Sequence, residues 1–502
     1  MKLTIIGGGG FRVPQIVEAL GRRPQQEIDV TELCLYDVSP ERLRAMAAVL
    51  DQLTLPRKPR ITLVSNLSDA VRGANFVFSA IRVAGTEGRV KDELIALRRG
   101  VLGQETVGPG GYAYALRTIP AALELARAVA ETAPNAWVIN FTNPAGIITQ
   151  AMRGILGRRV IGICDTPIGL VRRAARALGV RERELDYDYI GLNHLGWLRS
   201  ITKDGQELLP TLLNTPQLLS QMEEARLIGA EWVRQLGMIP NEYLFYFYRN
   251  REAVAQILAE EQTRGQFLAA QQRAFYEAAL AAPERAGALW NAAHREREET
   301  YMAEAREVAG EGAREEDDLE GGYQEVALDL MTALSGGGAL RWGGNTPEDN
   351  ERTPNTNNPT PKVNNPTPKV NNPVRMILGV SNSEGGERII AALADDAVIE
   401  VPCLVDENGP VPVPLAPLTG AELGLIVQVK ACETLLIEAV REANPNKAWR
   451  AIASHPLVDS ADIARRILDD YCAAIPEVAA ALGRTSEGNP MKKQEKEHRL
   501  GA

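Results

Sequence analysis

The segment KLTIIGGGGFRVPQIVEAL, residues 2–20, indicates how the N-terminal half of the chain folds. Residues 2–6 form a short apolar run with the length and β-branched character of a buried strand. Glycines occupy 7–10, and from Val13 to Leu20 the apolar residues recur at helical spacing. A strand, a tight turn and a helix in this order are typical of the first unit of a doubly wound α/β sheet.

The alternation of strand and helix continues along the chain. A second strand at 32–36 ends at Asp37, and Ser39-Pro40-Glu41 is a helix-start sequence. Four further apolar runs are short enough to be buried strands, at 61–64, 76–81, 137–141 and 160–163. These strands predict a Rossmann-like, doubly wound parallel sheet that is complete by about residue 164.

The remainder of the chain has a different pattern. It is mostly helical, with a β-like return at 397–405. We therefore predict a Rossmann domain at 1–168 and a mainly helical α+β domain at 169–485 that carries substrate, metal and oligomer contacts. A charged tail follows at 486–502.

A low-complexity segment interrupts the second predicted domain at 335–373. Its composition is dominated by Gly, Asn, Pro, Thr and charged residues, and the heptad NNPTPKV occurs at 357–363 and again at 364–370. Repeated prolines remove backbone donors, and little apolar surface is available to offset the entropy of ordering. The pattern predicts a surface insertion, and a ligand for a proline-recognising module is the alternative.

The overall composition excludes several classes of protein. The chain has 502 residues, 45% of them hydrophobic and 24% charged, with a net charge of −10, which argues against broad binding to nucleic acid or anionic membranes. Its five cysteines are scattered and include no Cys-x-x-Cys pair. We see neither an export leader nor a run of about 18 apolar residues. We therefore expect a cytoplasmic chain with reduced thiols.

The glycine-rich turn is a candidate nucleotide site. Without side chains, the backbone can approach a pyrophosphate at the positive end of the following helix. Asp37 can accept hydrogen bonds from an adenosine ribose and would repel the additional phosphate of NADP, so NAD is favoured. The G-x-G-x-x-G pattern is only partly met, and a turn that serves strand–helix packing is the alternative. The predicted cofactor-binding residues are Gly7, Gly8, Gly9, Gly10, Phe11, Arg12 and Asp37.

Two residues with metal-binding side chains occur in turn-like settings. Cys164 follows the strand at 160–163, at the edge of the sheet where ligands of such folds bind, and His194 lies in the segment GLNHLGW at 191–197. A thiolate and an imidazole could meet there. A buried thiol and a core histidine are the alternative, because the spacing of one Cys and one His does not establish a metal site.

Tyrosines and arginines supply further candidates. The segment IPNEYLFYFY, at 239–248, has three tyrosines in six residues, which form either a packing face or, beside a cation, a general base. Arg82, Arg89, Arg117 and Arg264 are candidates for binding an anionic group, since a guanidinium can donate two parallel hydrogen bonds. Most arginines are solvated surface residues, so the pattern alone does not choose among them.

In combination, these segments resemble glycoside hydrolase family 4, whose members are similar in fold to lactate and malate dehydrogenases. The matching segments are 5–10, 81–83 with Arg89 and 92–93, 103–106 with 108–111, 142–146, 164–167, 193–197, 243–248, 263–264 and 400–403. The resemblance covers nearly the whole chain and is strongest to the 6-phospho-β-glucosidases. It implies a homodimer or homotetramer.

The resemblance also implies an activity, the hydrolysis of 6-phospho-β-glucosides with NAD and Mn²⁺ or another divalent cation. Such enzymes are exceptions to the two-carboxylate glycosidase mechanism. The sugar would be oxidised transiently at C3 by NAD, lose its C2 proton, eliminate the aglycone, add water and be reduced again. The alternatives are a 6-phospho-α-glucosidase, another family 4 glycosidase, a hydroxyacid dehydrogenase, or a non-catalytic protein that recruits a partner through the insertion.

Catalytic roles follow from the same resemblance. Cys164 and His194 match the metal ligands of the family. Tyr243 matches the base that removes the C2 proton, with Tyr246 as the next candidate, and Asp165 matches the position of an acid for the leaving oxygen.

Substrate-binding roles follow in the same way. Arg264 and Arg89 match residues near the sugar phosphate, and Asn143 would hydrogen-bond a sugar hydroxyl. Asp165 resembles the phospho-α-glucosidases, whereas the segment at 239–248 favours the β group. Both anomers are therefore plausible, and we predict the β-glucoside.

Overall fold

The computed structural model describes residues 1–299, 322–336 and 373–484. The strands are β1 (Lys2–Ile6), β2 (Glu32–Tyr36), β3 (Arg60–Val64), β4 (Phe76–Ser79), β5 (Trp137–Asn140), β6 (Val160–Gly162), β7 (Asp186–Leu192), β8 (Leu195–Lys203), β9 (Gln206–Glu207), β10 (Ile239–Pro240), β11 (Val374–Ser381), β12 (Val398–Asp406) and β13 (Gly409–Pro412).

Helices connect these strands and surround the sheet. They are α1 (Val13–Arg22), α2 (Pro40–Asp51), α3 (Leu67–Val71), α4 (Gly85–Leu97), α5 (Gly108–Thr132), α6 (Ala145–Leu156), α7 (Thr166–Ala177), α8 (Leu209–Asn214), α9 (Pro216–Leu219), α10 (Glu223–Ile228), α11 (Ala230–Leu236), α12 (Phe245–Tyr248), α13 (Asn250–Ala259), α14 (Arg264–Ala281), α15 (Ala286–Glu299), α16 (Tyr323–Leu334), α17 (Gly420–Arg441), α18 (Pro445–Ala453), α19 (Ala461–Ala474) and α20 (Pro476–Ala481).

The first six strands are parallel and lie in the order β3-β2-β1-β4-β5-β6, which is the doubly wound order of dinucleotide-binding folds. The burial of β1 explains why its sequence is mostly apolar. Leu3 and Ile5 are buried in a core on one face of the sheet, and Ile6 is buried in a core on the other. Helices cover both faces, so every residue of the strand except Lys2 is buried. The predicted α/β class is confirmed.

The C-terminal half extends the same sheet, which was not predicted. β11 pairs antiparallel with β6 at Gly379 and Gly162, and the sheet continues through β12, β7, β8 and β10. A Cβ added to Gly379 would lie 3.1 Å from the Cα of Gly162, so the two glycines allow the close approach at this junction. β12 agrees with the predicted β-like return. The β7–β8 hairpin lies in a region predicted to be mostly helical.

The two halves pack closely against each other. The long helix α5, largely buried, contacts α17, α18, α19 and α20 from the C-terminal half. The predicted domain boundary at 168 lies near the start of α7, and the strands on either side of it belong to one sheet. The division into two domains stays a prediction.

Some predictions concern residues that the structure does not describe. The heptads at 357–363 and 364–370 and the tail at 486–502 lie outside the described residues. Within the described residues, no helix combines the length and the apolar character needed to cross a membrane.

Candidate active site

A cavity of about 830 Å³ lies at the carboxyl ends of the parallel strands. Its lining includes residues that follow β1, β2, β4, β5 and β6, together with side chains from the C-terminal half. Ligands of doubly wound folds bind at this edge of the sheet. The predicted site residues in its lining are Gly7, Gly10, Phe11, Arg12, Asp37, Arg89, Asn143, Cys164, Asp165, His194, Tyr243 and Arg264.

The remaining two predicted residues, Gly8 and Gly9, lie in the turn between β1 and α1. A Cβ on Gly7, whose φ is 89°, would lie 2.5 Å from the carbonyl oxygen of Ala80. A Cβ on Gly9 would lie 2.8 Å from the Cβ of Arg42. The glycines therefore let the turn lie close against β4 and α2.

The backbone N–H groups of this turn are used within the protein. Those of Gly7 and Gly8 donate to the carbonyl oxygen of Tyr36, and that of Gly10 donates to Gly7. The N–H of Gly9 donates to Asp37 Oδ2 at 3.1 Å. The glycines thus let the turn pack closely against the protein, and the N-terminus of α1 supplies the positive end of a helix dipole.

Asp37 occupies the position expected of a ribose-binding carboxylate. Besides accepting from Gly9, it accepts from the backbone N–H of Ser39 through Oδ1 at 2.9 Å. Ser39 caps α2, as its sequence predicts, by accepting from the N–H of Arg42. The carboxylate is therefore held in one orientation at the mouth of the turn.

Cys164 and His194, the predicted metal ligands, lie on either side of the predicted domain boundary at 168 and line the same cavity. Cys164 lies two residues after the end of β6, and its Sγ lies 3.4 Å from Thr166 Oγ1. His194 lies in the turn between β7 and β8 with a φ of 63°, a left-handed conformation that is uncommon for a non-glycine residue. The fold thus places two side chains that are thirty residues apart in the sequence in the lining of one cavity.

The hydrogen bonds around His194 determine its tautomer. Gln104 Oε1 accepts from the backbone N–H groups of Thr106, at 2.6 Å, and Val107, at 2.7 Å. That atom must therefore be the amide oxygen, and the Thr106 hydroxyl, 3.0 Å away, donates to it. Thr106 Oγ1 can then only accept from His194 Nδ1, which lies at 3.1 Å. The proton is on Nδ1, and the lone pair of Nε2 is available to bind a cation.

The protonation states of these groups fit a divalent metal. Burial lowers the pKa of His194 to about 3, so the imidazole is neutral at physiological pH. Burial also raises the pKa of the Cys164 thiol, and Glu400 and Asp165 raise it further, but a bound divalent cation deprotonates a coordinating thiol. In the part of the chain that the structure describes, no set of three or more His, Cys, Asp or Glu side chains is arranged as a metal site. Further ligands would come from substrate or water.

The three tyrosines of the 239–248 segment have different environments. The ring of Tyr243 stacks on the imidazole of His194, and Tyr246 also lines the cavity. The hydroxyl of Tyr248 accepts from Trp197 Nε1 at 3.1 Å, and Tyr248 is not in the cavity lining. Only the first two are therefore placed to act on a ligand in the cavity.

One carboxylate, Glu93, connects Arg89 to the start of α14, the helix that begins with Arg264. It accepts from Arg89 Nε at 2.8 Å and from the backbone N–H of Gly265 at 2.7 Å. Arg264 is the first residue of α14, which begins with a capping box formed by Thr263 and Gln266. Both guanidiniums line the cavity.

The other two arginine candidates, Arg82 and Arg117, differ in their position relative to the cavity. Arg82 lines the cavity and forms an ion pair with Glu105 at 2.6 Å. Arg117 instead forms two hydrogen bonds of 2.7 Å with Asp92; both side chains are fully buried, and Arg117 is not in the cavity lining. Arg117 is thus a structural residue rather than an anion-binding one.

The sequence reading missed Arg297, which also lines the cavity. Its carbonyl oxygen accepts from Arg264 Nη2 at 2.8 Å. Burial lowers the pKa of Arg297 to about 9, and the guanidiniums of Arg12, Arg89 and Arg264 contribute. Such mutual repulsion favours an anion among these groups. Nothing in the charged sequence around Arg297 distinguishes it from its neighbours.

Asn143 and Asp165 complete the predicted site. Asn143 Oδ1 is buried and has no hydrogen-bond partner among the described residues. Because a buried acceptor without a partner is costly, this oxygen is suited to a ligand hydroxyl. Asp165 precedes the first residue of α7 and lines the cavity beside Cys164.

Together, the fold and the cavity define an α/β protein of the dinucleotide-binding class, with a candidate metal pair and a candidate anion site in one cavity. The chain belongs to glycosyl hydrolase family 4. The model of the family 4 glycosyl hydrolases matches residues 2–180, and that of their C-terminal domain matches residues 189–355 and 369–458.

Individual relatives support this assignment over most of the chain. A probable 6-phospho-beta-glucosidase of Bacillus subtilis is 28% identical over 94% of this chain and 96% of its own length. The maltose-6'-phosphate glucosidase MalH of Clostridium acetobutylicum is 29% identical over 93% of this chain and 96% of its own length. A crystal structure of a 6-phospho-alpha-glucosidase from gut microorganisms, in complex with NAD and Mn²⁺, is 25% identical, with a TM-score of 0.69 over 96% of this chain and 99% of its own.

These comparisons confirm the predicted family and hydrolase class. NAD and Mn²⁺, the predicted cofactors, are the groups bound in the solved relative. The names of the relatives include both α- and β-glucosidases, so they do not decide the anomer. The roles of individual residues, the homodimer or homotetramer and the cytoplasmic location stay predictions.

Proposed function

We propose that this chain hydrolyses 6-phospho-β-glucosides, with NAD and a divalent cation such as Mn²⁺ as cofactors. The main support for this proposal is that the glycine-rich turn, the Cys164–His194 pair and the arginines around Arg264 all contribute to the lining of one cavity. A phosphorylated sugar needs a cationic site for its phosphate and a reactive site for its ring. The cavity can provide both at once.

The cofactors are expected to be held by residues at two positions. Asp37 would accept hydrogen bonds from the adenosine ribose, and the turn at 7–10 would lie against the pyrophosphate. Cys164 Sγ and His194 Nε2 would bind the cation. When bound, NAD provides a hydride acceptor for sugar C3, and the cation polarises the neighbouring sugar oxygens.

The chain's own residues supply the proton transfers. Tyr243 would take the C2 proton on its phenolate oxygen, since its ring lies against His194 and a nearby cation favours the ionised phenol. Asp165 would donate a proton to the oxygen of the departing aglycone. Both residues line the cavity, as proton transfer to a bound sugar requires.

Substrate orientation would come from the arginines and Asn143 in the lining of the same cavity. Arg264, Arg89 and Arg297 would bind the phosphate, because guanidiniums form charge-assisted hydrogen bonds with phosphate oxygens. The orphaned Asn143 Oδ1 would accept from a sugar hydroxyl. With the phosphate held in this way, C2 and C3 would face the metal pair.

The 6-phospho-α-glucosides are the second candidate substrates. Asp165 follows the predicted metal cysteine, and this residue is the one that resembles the α group. The solved 6-phospho-alpha-glucosidase and the maltose-6'-phosphate glucosidase relative support the same alternative. Removal of the C2 proton can activate a leaving group in either orientation, so only an assay with both anomers separates the candidates.

The test is turnover of 4-nitrophenyl 6-phospho-β-glucoside and its α-anomer with NAD, Mn²⁺ and a reductant. We expect release of nitrophenol without net NADH, faster for the β-anomer, and no release from the unphosphorylated glucoside. Faster release from the α-anomer would move the assignment to the second candidate. Stoichiometric NADH from a hydroxyacid, with no glycoside turnover, would support a dehydrogenase instead.

A variant pair tests the metal assignment directly. Cys164→Ser should lose most Mn²⁺ affinity and turnover, while Cys403→Ser should retain both. Cys403 is a matched control because it is buried in β12, where its thiol donates to the carbonyl oxygen of Val401 at 3.5 Å, and it is not in the cavity lining. Full Mn²⁺ affinity in Cys164→Ser would exclude this ligand.

A further inference from the structure

We propose that Thr166 and Asn241 form a positioning pair, which orients the Cys164 thiolate toward the cation and links it to the turn that carries Tyr243. The inference rests on the proposed function, in which Cys164 binds the metal and Tyr243 acts on the substrate. It concerns two residues that contact the predicted site residues and have no role in the proposed function.

Hydrogen bonding fixes the orientation of the Asn241 side-chain amide. Asn241 is fully buried immediately before the short turn that contains Tyr243. Its Oδ1 accepts from the backbone N–H of Tyr243 at 3.1 Å. A backbone N–H can only donate, so the amide oxygen must face Tyr243. The amide nitrogen of Asn241 therefore points the other way, toward Thr166.

The amide of Asn241 in turn fixes the direction of the Thr166 hydroxyl. Asn241 Nδ2 lies 2.8 Å from Thr166 Oγ1 and can only donate to it. The hydroxyl thus accepts from Asn241, and its own proton is available for another acceptor. Cys164 Sγ lies 3.4 Å from Thr166 Oγ1. The geometry therefore makes Thr166 a donor to the sulfur, which is strongest when the sulfur is a thiolate.

Asn241 has a third contact, which extends the connection to the histidine ligand. Its backbone N–H donates to the carbonyl oxygen of Gly196 at 2.8 Å. Gly196 lies in β8, two residues after His194. A single buried residue is thus bonded to the segments that carry Cys164, His194 and Tyr243.

The consequence is a preorganised metal site. Hydrogen bonds from outer residues orient metal ligands, and their loss weakens metal affinity typically 10- to 100-fold. Here the Thr166 hydroxyl donates to one lone pair of Cys164 Sγ. The remaining lone pairs of the sulfur are available to the cation. Because the same chain of bonds ends at the N–H of Tyr243, the position of the base would depend on the thiolate.

The test compares Thr166→Val, which removes the hydroxyl at nearly constant volume, with Thr166→Ser, which retains it. We expect Thr166→Val to bind Mn²⁺ about 10-fold more weakly or worse, and Thr166→Ser to bind within about 3-fold of the parent chain. Mn²⁺ affinity is measured by electron paramagnetic resonance of the free ion. Thermal unfolding of both variants shows whether they fold.

A spectroscopic measurement shows whether Thr166→Val weakens metal binding because a hydrogen bond to Cys164 Sγ is lost or because the packing changes. With Co²⁺ in place of Mn²⁺, the thiolate-to-cobalt absorption band should move to longer wavelength in Thr166→Val, because the lost hydrogen bond no longer stabilises the sulfur lone pairs. Thr166→Ser should keep the parent band. Parent-like Mn²⁺ affinity and an unmoved band in a folded Thr166→Val would overturn the proposal.

The failure of this inference is distinguishable from failure of the proposed function. If Cys164→Ser abolishes Mn²⁺ binding but Thr166→Val does not weaken it, the metal assignment stands and only the positioning pair is wrong. If Cys164→Ser binds Mn²⁺ normally, the metal assignment itself fails.

Discussion

The phenol ring of Tyr243 lies flat against the imidazole of His194, with ring centroids 3.7 Å apart and planes inclined by 2°. The stack places the phenol beside the histidine that is predicted to bind the cation. A nearby positive charge favours the ionised form of a phenol. The contact therefore connects the predicted metal site with the predicted base.

Replacing Tyr243 with Phe should retain the stack and remove the base. We expect kcat to fall on the order of 100-fold or more, which is typical for loss of a general base, and exchange of the C2 hydrogen with solvent to slow in parallel. Deuterium uptake at C2 during turnover measures this exchange. Tyr248→Phe is the matched control and should exchange normally, since its hydroxyl bonds to Trp197. Normal exchange in Tyr243→Phe would assign the base to another residue.

Thr106 should act on metal binding through the tautomer of His194. Thr106→Val removes the acceptor of the Nδ1 proton, so the imidazole is free to turn or change tautomer. We expect Mn²⁺ affinity to fall about 10- to 100-fold. Thr118→Val is a suitable control because the Thr118 hydroxyl is buried without a partner among the described residues. Equal Mn²⁺ affinity in the two variants would argue against the assigned tautomer.

Arg297 should bind the substrate phosphate together with Arg264. A hydrogen bond to a charged group contributes about 1.5–3 kcal/mol, so Arg297→Gln should raise KM for a 6-phospho-glucoside about 10- to 100-fold with a smaller effect on kcat. Arg295→Gln alters an exposed arginine of the same helix and should leave KM unchanged. Steady-state kinetics of both variants measure the difference. An unchanged KM in Arg297→Gln would remove this residue from the phosphate site.

His455 should make the stability of the protein depend on pH. Burial lowers its pKa to about 3, below the usual value near 6.5 in an unfolded chain. The unfolded state therefore binds more protons between these values, and stability falls as the pH drops below about 6.5. From pH 7 to 5 the loss from this group is about 2 kcal/mol.

His455→Asn should weaken that pH dependence. Its side-chain oxygen can replace Nδ1, which accepts from the backbone N–H of Leu457 at 3.2 Å. We expect the variant to lose less unfolding free energy than the parent between pH 7 and pH 5, as measured by urea unfolding. An identical loss in both proteins would show that His455 is not a source of the acid sensitivity.

Asp37 should determine the choice between NAD and NADP. Replacing it with Asn removes the charge that repels the additional phosphate of NADP, while Arg42 remains nearby in the cavity lining. We expect the preference for NAD to fall about 10-fold, equivalent to about 1.4 kcal/mol. Titration of each cofactor against protein fluorescence measures it. Asp51→Asn, an exposed change at the end of α2, should have no effect.

Much of the fold could be predicted because short apolar runs and helix-capping residues indicate strands and helices locally. The apolar runs of β1, β2, β4, β5 and β6 are largely buried, although β3 at the edge of the sheet is partly exposed, and Ser39 caps α2 with the bond that its position suggests. The β7–β8 hairpin was missed because residues such as Tyr189 and Trp197 are buried without a regular alternation with polar positions. Its pairing with β12 joins distant parts of the chain, and no local pattern reports such a contact.

The candidate site also contains residues that could be predicted from the sequence and one that could not. Cys164, His194, Tyr243 and Arg264 could be selected from matching segments, and the fold places all four in one cavity. Arg297 could not be selected, because its sequence neighbours do not indicate that it lies near the other arginines. Only the packing of α15 places it beside Arg264.

The sequence by itself determined the family, the doubly wound sheet and the residue types available for catalysis, because strand periodicity, the glycine turn and the matching segments are local properties. Only the tertiary structure decided which tyrosines face the cavity, which nitrogen of His194 is free and which arginines converge. These outcomes depend on the direction of hydrogen bonds and on burial between segments far apart in the chain, which arise only when the chain packs.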